Sequence, residues 1–231
     1  MIKKIIKAFY PEVCPNCNTV VREVGLCKDC KDAFRLIEEP FCAVCGRPVG
    51  SESIYMCDDC KTTKHYFKRN VSTFEYRGSI KECIYRFKYA NMRCYSEYFA
   101  KETIKRYGEL LKTWNIGAIV AVPMYAKKQR KRGYNQAEEF AKALAKVSGI
   151  KTCNKLLIRR KDTVPMKTLN KQQRYENLKK AFYVNKNKEI PKRVLIVDDI
   201  FTTGSTLDAC ARVLLKAGVE KVYGLCITTG A

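Results

Sequence analysis

Eight of the 13 cysteines fall within the first 60 residues as four Cys-x-x-Cys pairs: Cys14/Cys17, Cys27/Cys30, Cys42/Cys45 and Cys57/Cys60. A segment this short and polar cannot close around an apolar core of its own, so the pairs decide what it becomes. A Cys-x-x-Cys turn places two thiolates on one ion while neighbouring amides hydrogen-bond the sulfurs, and two such turns complete the tetrahedral set that zinc takes. The run CPNC, LCKDC, CAVCG, MCDDC is an internal repeat that offers four thiolates per half. Two structural zinc ions are therefore expected, with binding energy on the order of 10 kcal/mol each serving as folding energy. Sequential pairing fits the repeat, and an interleaved pairing is also compatible with it. Redox dithiols or an iron–sulfur cluster fit less well, because no thioredoxin-like pattern surrounds the pairs. Gly46, directly after Cys45, suits a left-handed turn position. His65 lies outside the pairs and is read as a linker residue, while Cys83, Cys94, Cys153, Cys210 and Cys226 fall in patterned segments and read as packing residues.

Over 231 residues the balance of 45 Lys+Arg against 23 Asp+Glu gives a formal charge of +22, which calls for a polyanionic partner. The excess is uneven: residues 1–70 carry net +3, and residues 127–193 alone carry net +16. A field of that density acts on phosphate over a Debye length of roughly 8 Å. No apolar run approaches the roughly 20 residues of a membrane span. The basic start MIKKIIKAFYP lacks the long apolar stretch of a signal peptide, so a cytoplasmic protein is expected.

The pattern then turns to strands and helices. Residues 71–76 alternate as a strand, helical spacing follows to about Ala90, and a second helix runs to about Trp114. IGAIVAVP at 116–123 reads as a buried parallel strand, followed by a basic loop and a helix from Tyr134 stopped by Gly149. RVLIVDD at 193–199, the loop IFTTG, the helix STLDACARVLLKA and VEKVYGLCIT form a βαβ unit. The expected architecture is α/β, a parallel-rich sheet with helices on both faces, divided as a zinc module over 1–65 and a second domain over 66–231. Ligands of such sheets sit at the carboxyl ends of the strands.

At one such end, VLIVDDIFTTGST delivers Asp198 and Asp199 and then opens a helix through Thr202, Thr203, Gly204, Ser205 and Thr206. Amides at a helix N-terminus and nearby hydroxyls suit a monophosphate, and vicinal hydroxyls of a sugar suit the acids. The chain has neither GxGxxG nor GxxxxGK[ST], which argues against a dinucleotide or a triphosphatase. Strand-DD-x-x-TTG-S-T resembles the phosphoribosyl pyrophosphate (PRPP) motif of type I phosphoribosyltransferases. With the cysteine repeats ahead of it and RKRGYNQAEEFAKALA between, nearly the whole chain resembles the ComF (ComFC) family of competence-associated proteins.

The resemblance implies that Asp198 and Asp199 hold the ribose hydroxyls, that residues 202–206 hold the 5-phosphate, and that Arg130 and Arg132 face the pyrophosphate with Gly133, Asn135 and Gln136. Mg²⁺ would arrive with PRPP. Where family members carry Gln in a T-x-x-Q-x-x-L segment, this chain has Met166 between Thr163 and Leu169, ahead of Arg174 and Asn177. The family association with DNA uptake implies single-stranded DNA as partner. Candidate contacts are Lys127, Lys128, Arg130 and Lys131, with Tyr85 and Tyr89 among the basic residues Arg86, Lys88 and Arg93. Tyrosines four apart on a helix are also, and more often, core residues. A Mg²⁺-dependent phosphoribosyltransferase on an unidentified acceptor and a zinc adaptor for other competence proteins are the rival readings.

Overall fold

The computed structural model describes residues 11–160, 178 and 181–230. The two cysteine repeats fold alike. In each, the first pair sits in a loop closed by a short antiparallel bridge, Val13 with Val20 and Phe41 with Pro48. The second pair sits on one turn of helix, a 3₁₀ turn at Lys28–Cys30 in the first repeat and α1 (Asp58–Thr62) in the second.

The remaining elements are β1 (Asn70–Glu75), α2 (Ile80–Tyr89), α3 (Tyr95–Trp114), β2 (Ala118–Ala121), α4 (Ala126–Arg132), α5 (Gln136–Ser148), β3 (Leu157–Arg159), β4 (Phe182–Val184), β5 (Arg193–Phe201), α6 (Ser205–Lys216) and β6 (Lys221–Thr229). The main sheet has the order β1-β6-β5-β2 with every pairing parallel, and β3 and β4 form a separate antiparallel pair. Side chains alternate between its faces. Leu195 and Val197 of β5 pack in one cluster with Phe99 of α3 and Phe140 and Leu144 of α5. Val194 and Ile196 pack in the other with Leu207, Cys210 and Leu214 of α6. Both faces are covered, which is why β5 reads as an unbroken apolar run.

The second layer contains more than helices. Cys42, Cys45 and Cys60 share the cluster of Ile196 and Leu207, so the second cysteine repeat covers part of the sheet. Asn70 locks it there: its amide donates to Val44 O at 2.7 Å and its side chain to Cys45 O at 2.8 Å. The first repeat leans on the opposite cluster through Val13, Val24 and Leu26.

Of the boundaries that differ from the sequence reading, two lie beside the carboxyl ends of the strands. The strand at 193–199 continues to Phe201 because Ile200 and Phe201 still pair with Thr228 and Thr229. The basic segment 127–132 is helical rather than a loop. Its Lys, Gln and Arg are good helix formers, three basic residues occupy the last turn, and Gly133 closes it at φ 87° with its amide on Gln129 O at 2.8 Å. No helix among the described residues is long and apolar enough to cross a membrane.

Gly46 has φ 72°, and a Cβ there would lie 2.7 Å from Asn70 O. Gly46→Ala should therefore cost about 2–4 kcal/mol through left-handed strain and a backbone clash. Denaturant unfolding of the zinc-loaded protein measures it.

Candidate functional site

The carboxyl end of β5 brings the acid pair to two different environments. Asp199 is 5% exposed. Its Oδ2 takes an ion pair from Lys88 Nζ at 2.8 Å and a hydrogen bond from Gln136 Nε2 at 2.9 Å. Burial works against the Lys88 charge, but the Asp199 carboxylate outweighs it and holds the ammonium above the ordinary lysine range. Asp198, on the other side of the strand, is half-buried, and its Oδ1 accepts from the Asp199 amide at 2.9 Å. Burial and the Asp199 charge push its carboxyl up to about 7, against the pull of that amide, Lys88 and Arg159.

Local sequence explains how Gln136 arrives. Asn135 is the N-cap of α5, its Oδ1 accepting from Ala137 N at 3.1 Å while its Nδ2 donates to Val122 O at 3.0 Å. One residue thus starts the helix and pins it to the end of β2, which leaves Gln136 facing Asp199. Arg132 Nη1 then donates to Gln136 Oε1 at 2.7 Å. Of the two arginines expected at the site, Arg132 joins the acids through this chain, and Arg130 is exposed on α4.

After β5 the chain turns through Thr202 and Thr203 to Gly204, which has φ 77° and is the N-cap of α6. Thr203 Oγ1 and Ser205 Oγ are hydrogen-bonded at 2.8 Å. Thr202 is exposed, and Thr203, Ser205 and Thr206 are half-buried around the start of a 12-residue helix. A helix N-terminus of this kind receives an anion through backbone amides.

The sulfurs pair sequentially. Those of Cys14, Cys17, Cys27 and Cys30 lie within 4.8 Å of one another, as do those of Cys42, Cys45, Cys57 and Cys60. Four sulfurs at 2.3 Å from a tetrahedral ion stand about 3.8 Å apart. The Cys17–Cys27 and Cys45–Cys57 separations are 3.7 and 3.6 Å. The same amide-to-sulfur bond recurs in both halves, Cys27 N to Cys14 Sγ and Cys57 N to Cys42 Sγ, each at 3.4 Å. Donor chemistry and spacing fit two structural zinc ions. His65 is not a linker residue: its side chain is 4% exposed, with Nδ1 2.7 Å from Asp208 Oδ2 and Nε2 3.6 Å from Cys60 Sγ.

The aromatic and basic candidates separate clearly. Tyr85 and Tyr89 are 57% and 58% exposed, with ring centroids 5.0 Å apart, so neither is a core residue. The Arg132 guanidinium lies 4.6 Å over Tyr89. Lys127, Lys128, Arg130 and Lys131 are exposed on α4. Arg86 is engaged by the carbonyls of Pro15 and Asn16, at 2.9 and 2.7 Å, and Lys88 by Asp199, so the basic half of the expected alternation faces inward at those positions. Met166, Thr163, Leu169, Arg174 and Asn177 lie outside the described residues. Sequence reasoning placed Lys88 only among the basic residues around Tyr85 and Tyr89 and missed its pairing with Asp199, for which the local sequence carries no signal.

Comparison with known proteins agrees with this arrangement. Residues 5–61 match the double zinc ribbon domain and residues 131–229 the phosphoribosyl transferase domain. The chain is 31% identical to Competence protein F of Haemophilus influenzae, over 94% of this chain and 97% of that one. It is 26% identical to Competence protein ComFC of Streptococcus pneumoniae, over 85% and 84%, and 25% identical to DNA utilization protein YhgH of Escherichia coli, over 88% and 89%.

Metal analysis of freshly purified, reduced protein should find two zinc ions per chain, and one or fewer would contradict two closed sites. The acids should also respond differently to substitution. Asp199→Asn leaves the Lys88 ammonium without its carboxylate and should cost about 2–4 kcal/mol. Asp198→Asn should stabilise instead. A carboxyl whose folded pKa is raised binds more protons folded than unfolded, so its effect lowers stability as pH rises from about 4 to about 7. Removing it should gain roughly 1–3 kcal/mol above pH 7 and nothing below pH 4. Urea unfolding across pH reads both.

Proposed function

Because the chain belongs to the ComF family of competence proteins, we propose that it binds PRPP with Mg²⁺ at the carboxyl end of β5 and acts with single-stranded DNA in natural transformation, in the cytoplasm. A competence role follows from the relatives' names and the two matched domains. The division is a zinc module over 1–65 and a PRPP-binding domain over 66–231. The observation that carries the PRPP reading is the direct run from the acid pair through residues 202–204 into the N-terminus of α6. Amides and hydroxyls of residues 202–206 would hold the 5-phosphate, and Asp198 would accept from a ribose hydroxyl. Asp199 keeps Lys88 and Gln136 in place, both through Oδ2. Arg132 would then supply positive charge to the pyrophosphate, with the Lys88 charge offset by Asp199, and Mg²⁺ bound to PRPP would neutralise the rest.

Turnover as a phosphoribosyltransferase is the second reading, favoured by the domain match at 131–229. The bond from C1 of the sugar to the pyrophosphate oxygen breaks with its electron pair on pyrophosphate, a bond to an acceptor atom forms, and the acceptor's proton passes to the released pyrophosphate or to water. The positive charge gathered at C1 would be stabilised by Asp198.

Exposure of the Tyr85–Tyr89 pair supports the DNA reading. Two exposed tyrosine rings, that of Tyr89 with Arg132 over one face, stand beside a helix that presents Lys127, Lys128, Arg130 and Lys131. Stacking with sequence-independent charge suits single strands.

Calorimetry with PRPP and Mg²⁺ tests the first half. Measured above pH 7, where the carboxyl is ionised, Asp198→Asn, which leaves Lys88 paired, should lower affinity about 10- to 100-fold through loss of a charged acceptor, and unchanged affinity would remove Asp198 from the site. Salt titration tests the second half. Log affinity for single-stranded DNA should fall linearly with log salt, by about 0.7 per phosphate contact. Reversing the charges of Lys127, Lys128, Arg130 and Lys131 together should flatten the slope. Tyr85→Ala or Tyr89→Ala should cost about 1–3 kcal/mol with the slope kept. No binding at low salt would end the DNA reading and leave the PRPP site and the adaptor reading standing.

A further inference from the structure

We propose that His65 and Asp208 are positioning residues that couple the second zinc site to the turn at residues 202–206, so that ligand on the turn and zinc on Cys42, Cys45, Cys57 and Cys60 stabilise one another. The His65 ring stands between the two sites. Its Nε2 faces Cys60 Sγ at 3.6 Å, and its Nδ1 meets Asp208 Oδ2 at 2.7 Å. The other oxygen of Asp208 accepts from the Tyr66 amide, also at 2.7 Å. Both oxygens of a carboxylate in the first turn of α6 are thus held by the segment that leaves the metal site.

Apolar contacts hold the same ring in place. His65 stacks on Phe67 at 4.5 Å between centroids, and Phe67 meets Phe201, the last residue of β5, edge-on at 6.2 Å. The ring also presses on the turn itself. A Cβ on Gly204 would lie 3.1 Å from His65 Cε1 and 3.1 Å from Phe201 Cζ. Gly204 is therefore glycine for two reasons, its φ of 77° and the imidazole packed against it. Moving Cys60 moves His65, and His65 cannot move without releasing Asp208 and opening the space over Gly204. A ring buried to 4% exposure has no room to absorb the shift.

Coupling between two sites is reciprocal. Zinc that orders the turn must be held more tightly when the turn is filled. The first zinc site has no such connection among the described residues: Cys14, Cys17, Cys27 and Cys30 lie with residues that pack on the opposite face of the sheet.

The proposal rests on residues 202–206 being the phosphate site, and two measurements keep the claims separate. The first is zinc transfer from the whole protein to a chromogenic chelator, with and without PRPP and Mg²⁺. One of the two zinc ions should leave about fivefold or more slowly when PRPP is bound, and the other at an unchanged rate. His65→Phe keeps the stack on Phe67 and removes both polar contacts; it should abolish the slowing while two zinc ions remain bound. His65→Asn, whose side-chain amide can still donate to Asp208, should keep the turn ordered and still lose the link to Cys60. The second measurement needs no ligand. Amide hydrogen exchange at residues 202–208 of zinc-loaded protein should rise in His65→Phe, be restored toward wild type in His65→Asn, and stay unchanged at residues 14–30 in both. Equal slowing of both zinc ions, slowing retained in His65→Phe, or exchange at 202–208 that ignores His65 would overturn the coupling. If wild type fails to bind PRPP while exchange at 202–208 responds to His65 as stated, the PRPP reading falls, and His65 still positions the turn; if exchange there also fails to rise when zinc is removed, the coupling falls with it.

Discussion

Closure of the second sulfur set against the sheet is the constraint on which the rest of the architecture leans. Cys42, Cys45 and Cys60 are buried in the same layer as Ile196 of β5 and Leu207 of α6, and Asn70 ties that repeat to β1 by two hydrogen bonds. Zinc on those thiolates would hold a polar, glycine-punctuated segment in shape where apolar burial alone would not. That segment then roofs one face of β5 and, through His65 and Tyr66, clasps the first turn of α6. The second cysteine repeat is consequently part of the wall around the carboxyl end of β5 and the start of α6.

The acid pair shows how one strand gives adjacent residues different work. Alternation sends Asp198 and Asp199 to opposite sides of β5. On one side Lys88 from α2 and Gln136 from α5 converge on Asp199 and join three elements at one carboxylate. On the other, Asp198 has the raised pKa of a carboxyl next to a negative charge and short of water. Asp199 gathers Lys88 and Gln136 around it while Asp198 faces the other side of the strand, a division that the two letters DD do not reveal.

Much of the fold was legible because its signals are local. The four Cys-x-x-Cys spacings lead to two sets of four sulfurs, the apolar runs at 116–123 and 193–199 to parallel strands, and Gly149 to a helix stop with positive φ. What was not legible depends on tertiary partners. His65 looks idle until β5 and α6 bring Asp208 to it from 143 positions away. Lys88 looks like a surface cation until the helix rotates it under the strand end. Tyr85 and Tyr89 share a spacing with core aromatics, and only the placement of Ile84 and Phe87 toward the sheet turns them outward. The helix at 126–132 was hidden by its charge, since a run of like charges reads as a solvated loop until Gly133 is seen to cap it.

A phosphate held at the turn after β5 would be felt first by the backbone amides that open α6. The most direct measurement is an amide ¹H–¹⁵N spectrum of the zinc-loaded protein titrated with ribose 5-phosphate. Saturable shifts at Thr203, Gly204, Ser205, Thr206 and Leu207, with smaller ones at Asp198 and Asp199, are the predicted result. Shifts confined to residues 126–132, with the start of α6 unmoved, would contradict it and assign the anion to the basic surface of α4 instead.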